Sequence, residues 1–272
     1  MNPSVLVFDS GVGGLSILQH IRQRTPALSL HYFMDSAAFP YGVKEDDVLI
    51  ERVVSVCQSA ADELQPQMLV IACNTASTLT LPALRQRLSI PVVGVVPAIK
   101  TAACRSGGGH IGLLATPATV NRGYTDKLIE NFAAHCQVRR FGSAELVCWA
   151  EEYLLSGEVS EQLFVHLQSW LQEPEPLTHV VLGCTHFPLL RQQLEKLWPD
   201  VEWIDSGEAI ARRVASLLSE DGFSPQQAEL NCFWTSRQQQ PDGALRFLRQ
   251  LGEVSRQGCL GPDFIIQDTE SV

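Results

Sequence analysis

Two cysteines stand where chemistry could be done. Cys184 ends the apolar run Val180-Val181-Leu182-Gly183 and is followed by Thr185, His186, Phe187 and Pro188. Cys73 ends Met68-Leu69-Val70-Ile71-Ala72 and is followed by Asn74, Thr75, Ala76 and Ser77. Each run reads as a buried parallel strand that turns into a helix, the one after Cys184 carrying Pro188 in its first turn. The carboxyl end of such a strand, beside the N–H groups of a helix start, is where open α/β sheets bind ligands and where thiols become reactive.

A hydrolase would use one cysteine as nucleophile and His186 as base, which leaves the other cysteine unexplained. A racemase uses both: one thiolate takes a Cα proton from one face of the substrate while the other thiol delivers a proton to the opposite face. An ordinary thiol, with a pKa of about 8.5, is a weak base for a carbon acid, so the site must preorganise charge around it. The four lysines (Lys44, Lys100, Lys127 and Lys196) lie in no Schiff-base setting, so this reading takes no pyridoxal cofactor.

Other residues gather at the same strand ends. Asp9 alone reads as a turn residue or cap, but it ends a strand parallel to that of Cys73, where the two side chains could meet. His186 is a packing or capping histidine, or a proton relay for Cys184. Asn74, Thr75 and Thr185 are N-caps, or donors aimed at a substrate. The turn Asp9-Ser10-Gly11-Val12-Gly13-Gly14 resembles a phosphate cradle, with Asp35 in the place of a ribose-binding acid. The third fingerprint position is Ser16, however, and Asp9 puts a carboxylate where a pyrophosphate would sit. The glycines suit a smaller anion, such as a carboxylate.

The elements that must position these groups alternate along the chain. Strands at 4–8, 29–34, 68–72 and 91–96 alternate with helices at 15–24, 45–64 and 74–88, which predicts a doubly wound parallel sheet. After Pro97 the order begins again. It runs through a strand at 110–114, the polar turn Ala115-Thr116-Pro117-Ala118-Thr119, a helix at 120–134, a strand at 137–141, helices at 144–155 and 160–171, the Cys184 unit and a strand at 201–204. Ser10 precedes Cys73 by 63 positions and Thr116 precedes Cys184 by 68. The expectation is α/β architecture: two pseudo-symmetric doubly wound parallel-sheet domains with the active site in the cleft between them. One comprises residues 1–97 with 208–272, the other 98–207. Chance likeness between ordinary βα units is the alternative. A helix at 207–218, a strand at 229–234 and a helix at 242–251 return to the first half, and the tail 258–272 is expected to be loosely held.

Composition narrows the classes. A net charge of −10 lacks the basic footprint of a nucleic-acid binder. No apolar run approaches the roughly 20 residues that span a bilayer, and the start shows no signal-peptide pattern, so a cytoplasmic protein without membrane contact is expected. Eight cysteines without a C-x-x-C pair or zinc-ligand spacing argue against a disulfide framework and a structural metal. Cys57, Cys104, Cys136, Cys148, Cys232 and Cys259 read as core or surface residues.

Taken together, Phe8-Asp9-Ser10-Gly11-Val12-Gly13-Gly14-Leu15, Pro40-Tyr41-Gly42, Cys73-Asn74-Thr75-Ala76-Ser77 and Leu182-Gly183-Cys184-Thr185-His186-Phe187-Pro188-Leu189-Leu190 resemble the cofactor-independent glutamate racemases of the aspartate/glutamate racemase superfamily. The resemblance covers nearly the whole chain. It implies that Cys73 acts on D-glutamate with help from Asp9, and Cys184 on L-glutamate with help from His186. It also implies that Asp9, Ser10, Tyr41, Gly42, Asn74, Thr75, Thr116, Thr119, Glu151, Thr185 and His186 hold the substrate. It further implies a homodimer that supplies D-glutamate for peptidoglycan. The segment Leu146-Val147-Cys148-Trp149-Ala150-Glu151 departs from the family's proline-containing pattern, with Glu151 still matching its acidic residue. Some relatives carry an N-terminal extension and depend on a cell-wall precursor as activator; lacking such an extension, this chain is expected to escape that control. The rivals are an aspartate racemase and a non-catalytic amino-acid sensor of the same fold.

Overall fold

The structure, a computed structural model, describes residues 2–219, 221–236, 241–261 and 265–269. The chain divides into two compact units, residues 1–95 with 207–272 and residues 96–206. The first unit begins β1 (Ser4–Asp9), α1 (Leu15–Arg24), β2 (Ser29–Met34), α2 (Asp46–Leu64), β3 (Met68–Ile71), α3 (Asn74–Arg87) and β4 (Val92–Gly94). The second holds α4 (Ile99–Arg105), β5 (His110–Ala115), α5 (Pro117–Val120), α6 (Gly123–Phe132), β6 (Gln137–Gly142), α7 (Glu145–Ser156), α8 (Gln162–Gln172), β7 (His179–Leu182), α9 (Arg191–Leu197) and β8 (Glu202–Ile204). The chain then returns to the first unit with α10 (Gly207–Leu217), β9 (Leu230–Trp234), α11 (Asp242–Leu251), β10 (Arg256–Leu260) and β11 (Ile266–Asp268).

Among the described residues the sheet of the first unit runs β11-β10-β9-β2-β1-β3-β4, and that of the second β6-β5-β7-β8. The order β2-β1-β3-β4 within the first therefore recurs in the second, strand for strand. Both β1 and β2 are buried at every position, as strands covered on both faces must be, which explains their unbroken apolar runs. Helix α2 faces this sheet with Leu49, Val53, Val56, Cys57 and Ala60, the spacing of a single helical stripe. In the second unit Ile111, Leu113, Ala115 and Val181 form a core with Ile99 and Ala102 of α4.

Four expectations are corrected. The first sheet is not wholly parallel, because β11 pairs antiparallel with β10. Only residues 261–265 join the two, with Gly261 N–H donating to Ile265 O at 2.8 Å, and a parallel crossover needs a dozen residues or more. The described part of the tail is consequently held: Gly258, Cys259 and Leu260 are buried, and Glu63 accepts the Ile266 N–H. Residues 262–264 and 270–272 of that expectation lie outside the described residues. The helix expected over 120–134 is two, α5 and α6, and at the break Thr125 Oγ1 donates to Thr119 O at 2.6 Å and Asn121 Nδ2 to Pro117 O at 2.9 Å. Pro188 lies in a 3₁₀ turn, Phe187–Leu190, that precedes α9.

Candidate active site

In the first unit Phe8 of β1 lies opposite Ile71 of β3, and Ala72 N–H donates to Phe8 O at 2.7 Å. Two positions further on, Ser10 and Cys73 leave the sheet side by side, with Oγ 3.9 Å from Sγ. Cys73 is the extended residue just before α3, and its carbonyl receives Ser77 N–H at 2.8 Å, closing the first turn. Ser77 ties this strand end down: its hydroxyl donates to Ile71 O at 2.9 Å and accepts Val95 N–H at 3.0 Å. Asn74 and Thr75 follow, both buried, and Asn74 Oδ1 has no hydrogen-bond partner among the described residues.

Asp9 is fully buried next to them, and its Oδ1 accepts the Ser10 N–H, the Ser10 hydroxyl at 3.1 Å and the Gly11 N–H at 3.4 Å. The first two N–H groups of the glycine turn therefore face a carboxylate of the chain itself. Gly14 is required by close approach: a Cβ there would lie 2.9 Å from that of Asp9 and 3.0 Å from that of Ala72. Tyr32, buried in β2, reaches under the turn and donates to Gly11 O at 2.5 Å.

Asp35 is equally buried and is not a ribose-binding acid. Its carboxylate takes Arg52 Nε at 3.0 Å and Nη2 at 2.7 Å, Tyr41 OH at 2.8 Å and Thr235 Oγ1 at 2.7 Å. Burying a lone carboxylate costs several kcal/mol, and a forked guanidinium with two hydroxyls offsets that cost. The Tyr41 hydroxyl is therefore engaged by Asp35, and burial together with that negative neighbour pushes it well above the ordinary phenol range. Gly42, exposed in the 3₁₀ turn Tyr41–Val43, would meet nothing with an added Cβ. Arg52 and Thr235 escaped the sequence reading, since they lie 17 and 200 positions from Asp35 with no motif to join them.

The second unit repeats the arrangement with different partners. Leu114 of β5 lies opposite Leu182 of β7, Gly183 N–H donates to Leu114 O at 2.7 Å, and two positions further on come Thr116 and Cys184. Thr116 caps α5, accepting Thr119 N–H at 3.3 Å, and its hydroxyl lies 3.0 Å from that of Thr119. Cys184 Sγ is 3.8 Å from His186 Nδ1, and the other ring nitrogen, Nε2, is 2.8 Å from Glu151 Oε1. His186 and Thr185 are buried, whereas the Glu151 side chain is partly open at 26 %. Full burial of the imidazole opposes its charge, but the hydrogen bonds to Cys184 and Glu151 outweigh it and hold the ring well above its ordinary pKa. A charged imidazole beside a sulfur can return a proton to it or stabilise it once ionised.

The predicted residues thus fall into two sets: Asp9, Ser10 and Cys73 with Asn74 and Thr75 in one unit, and Cys184, Thr185, His186 and Glu151 with Thr116 on the adjoining strand end in the other. None of the eight cysteines, all among the described residues, is in a disulfide; Cys57, Cys232 and Cys259 are buried, and Cys104 and Cys148 are exposed. Among the described residues no helix is long and apolar enough to cross a membrane.

The chain belongs to the Asp/Glu/Hydantoin racemase family, whose model matches residues 6–214. It is 55 % identical over 218 residues to a glutamate racemase of Photorhabdus laumondii, covering 79 % of this chain and 76 % of that one. It is 51 % identical over 231 residues to a glutamate racemase of Salmonella gallinarum, covering 84 % and 82 %. A crystal structure of Escherichia coli glutamate racemase in complex with L-glutamate and the activator UDP-MurNAc-Ala superposes with a TM-score of 0.86 at 45 % identity, covering 93 % of this chain and 96 % of that one. Within the family the chain is thus an isomerase of the glutamate racemase class.

Proposed function

We propose that the chain interconverts L- and D-glutamate by moving the Cα proton between two thiols, Cys73 and Cys184, without a cofactor. The observation that carries this reading is the recurrence described above: two sheets of one strand order, each bearing a hydroxyl and a thiol at matching register positions. Inversion at Cα needs a base on one face and an acid on the other, and the two partner sets suit the two halves of that exchange. Cys184, with His186 and Glu151, removes the proton of L-glutamate; Cys73, with Asp9 and Ser10, removes that of D-glutamate. The thiol that begins each turnover deprotonated ends it protonated, so the two states of the enzyme alternate with the direction of reaction.

Ser10, Asn74, Thr75, Thr116, Thr119 and Thr185 supply hydrogen bonds to the substrate's ammonium and carboxylate groups, with the Tyr41–Gly42 turn beside them. In this reading the product feeds peptidoglycan synthesis in the cytoplasm, and the working enzyme is a homodimer. The test follows the circular dichroism of L-glutamate with purified protein and no pyridoxal phosphate. The expected result is decay of the signal to zero. Since the Escherichia coli structure holds an activator, the assay is run with and without UDP-MurNAc-Ala, and an unchanged signal in both arms would refute the proposal.

A further inference from the structure

Helix α7 carries Glu151 and packs against the Phe187–Leu190 turn that follows Cys184 and His186. How firmly Glu151 meets His186 therefore depends on how α7 is seated. Its amino end is fixed by Ser143, a fully buried residue whose hydroxyl lies 3.0 Å from Glu145 Oε2, 3.2 Å from Leu146 N and 2.9 Å from His166 Nε2. A hydroxyl has one proton to give and two lone pairs. Glu145 can only accept and Leu146 N–H can only donate, so the remaining lone pair faces His166, and His166 must present Nε2–H to it.

The His166 ring is itself held edge-on by two others, Phe141 at 5.3 Å and Trp149 at 5.2 Å between centroids. Phe141 lies on β6, and Trp149 lies on α7, two residues before Glu151. His166, on α8, thus touches α7 at the cap and again next to Glu151.

We propose that His166 is a positioning residue for proton transfer at Cys184: by donating to Ser143 Oγ and packing against Trp149 it sets the placement of α7 and hence the Glu151–His186 hydrogen bond. It touches no reacting atom. The inference rests on the function proposed above, in which His186 and Glu151 serve Cys184, but it can be read apart from that function. In His166→Phe the ring remains and the donor is lost; in His166→Gln the amide nitrogen reaches about as far as Nε2 and the donor is kept.

The measurements are kcat/KM for glutamate and the imidazole titration of His186 followed by NMR, in both variants. Expected for His166→Phe is a roughly fivefold to twentyfold fall in kcat/KM, together with a downward move of the His186 titration, in a protein whose far-UV circular dichroism shows the fold retained. His166→Gln, which keeps the donor but gives up the ring contact with Trp149, should recover part of both. If His166→Phe does not fold, Trp149→Leu is read in its place and should lower the His186 titration in the same direction. A His186 titration unaltered in the folded variants, or equal losses in His166→Phe and His166→Gln, would overturn the proposal. A wild-type protein that titrates as expected but leaves glutamate unracemised would instead count against the function proposed above.

Discussion

A thiol surrounded only by apolar atoms keeps its proton, so each cysteine depends on what lies within 4 Å of its sulfur. At Cys184 that neighbour is His186, and the charge on His186 is supported by Glu151. A folded-state pKa raised above the unfolded value stabilises the protein at pH below the unfolded pKa, and this contribution is lost as pH rises through the folded value. Glu151→Gln keeps a hydrogen-bonding oxygen but removes the negative charge. It is expected to lower the His186 titration toward its ordinary value and reduce kcat/KM roughly tenfold to hundredfold, as measured by NMR titration and steady-state kinetics. The strand-end placement of both cysteines was legible in the sequence, because an apolar run that halts at Cys-polar-polar marks where a buried strand ends. The partners were harder to see: Glu151 and His186 stand 35 positions apart, and the Arg52 and Thr235 donors to Asp35 share no pattern with it. Asp9 was legible as a strand-end turn residue, and its carboxylate does accept its own turn's N–H groups.

At the scale of elements, the strand ends must approach closely for each thiol to sit beside its neighbouring turn. Gly183 lies at such an approach, where a Cβ would be 2.9 Å from Leu113 Cδ1 and 3.0 Å from Ala115 Cβ. Gly183→Ala is therefore expected to cost about 1–3 kcal/mol through overpacking, while Gly42→Ala, whose added Cβ meets nothing, should change stability by less than about 0.5 kcal/mol. Denaturant melts of the two variants would check the contrast. Most strands and helices were legible from periodicity, because in a parallel sheet covered on both faces the strands are unbroken apolar runs. Strand β10, Arg256-Gln257-Gly258-Cys259-Leu260, was not, for it has neither a run nor an alternation and is fixed by pairing with β9, more than 20 positions upstream. Helix α4, Ile99–Arg105, is only 7 residues long and too short to show a stripe.

At the scale of the molecule, pH sensitivity has a source outside the site. His31, in β2 of the first unit, is buried beside Asn231, and desolvation lowers its pKa from 6.5 to about 4. A neutral histidine in the fold that would be charged in the unfolded chain gives stability that is complete above pH 6.5 and is lost as pH falls toward 4. A shift of that size corresponds to roughly 3 kcal/mol. Melting between pH 7 and 4 should show this loss, and His31→Leu should flatten it. The largest feature the sequence revealed is the repeat itself: spacings of 63 and 68 positions between hydroxyl and thiol correspond to equal register positions in two sheets of one strand order. The central claim, that two sulfurs share one Cα proton transfer, is tested most directly in deuterium oxide. L-glutamate is incubated with wild-type protein, Cys73→Ala and Cys184→Ala, and both the enantiomers and the hydrogen at Cα are analysed. Wild-type protein should yield D-glutamate carrying deuterium at Cα and neither variant should racemise; a single-cysteine variant that racemises glutamate at the wild-type rate would rule out the two-thiol transfer.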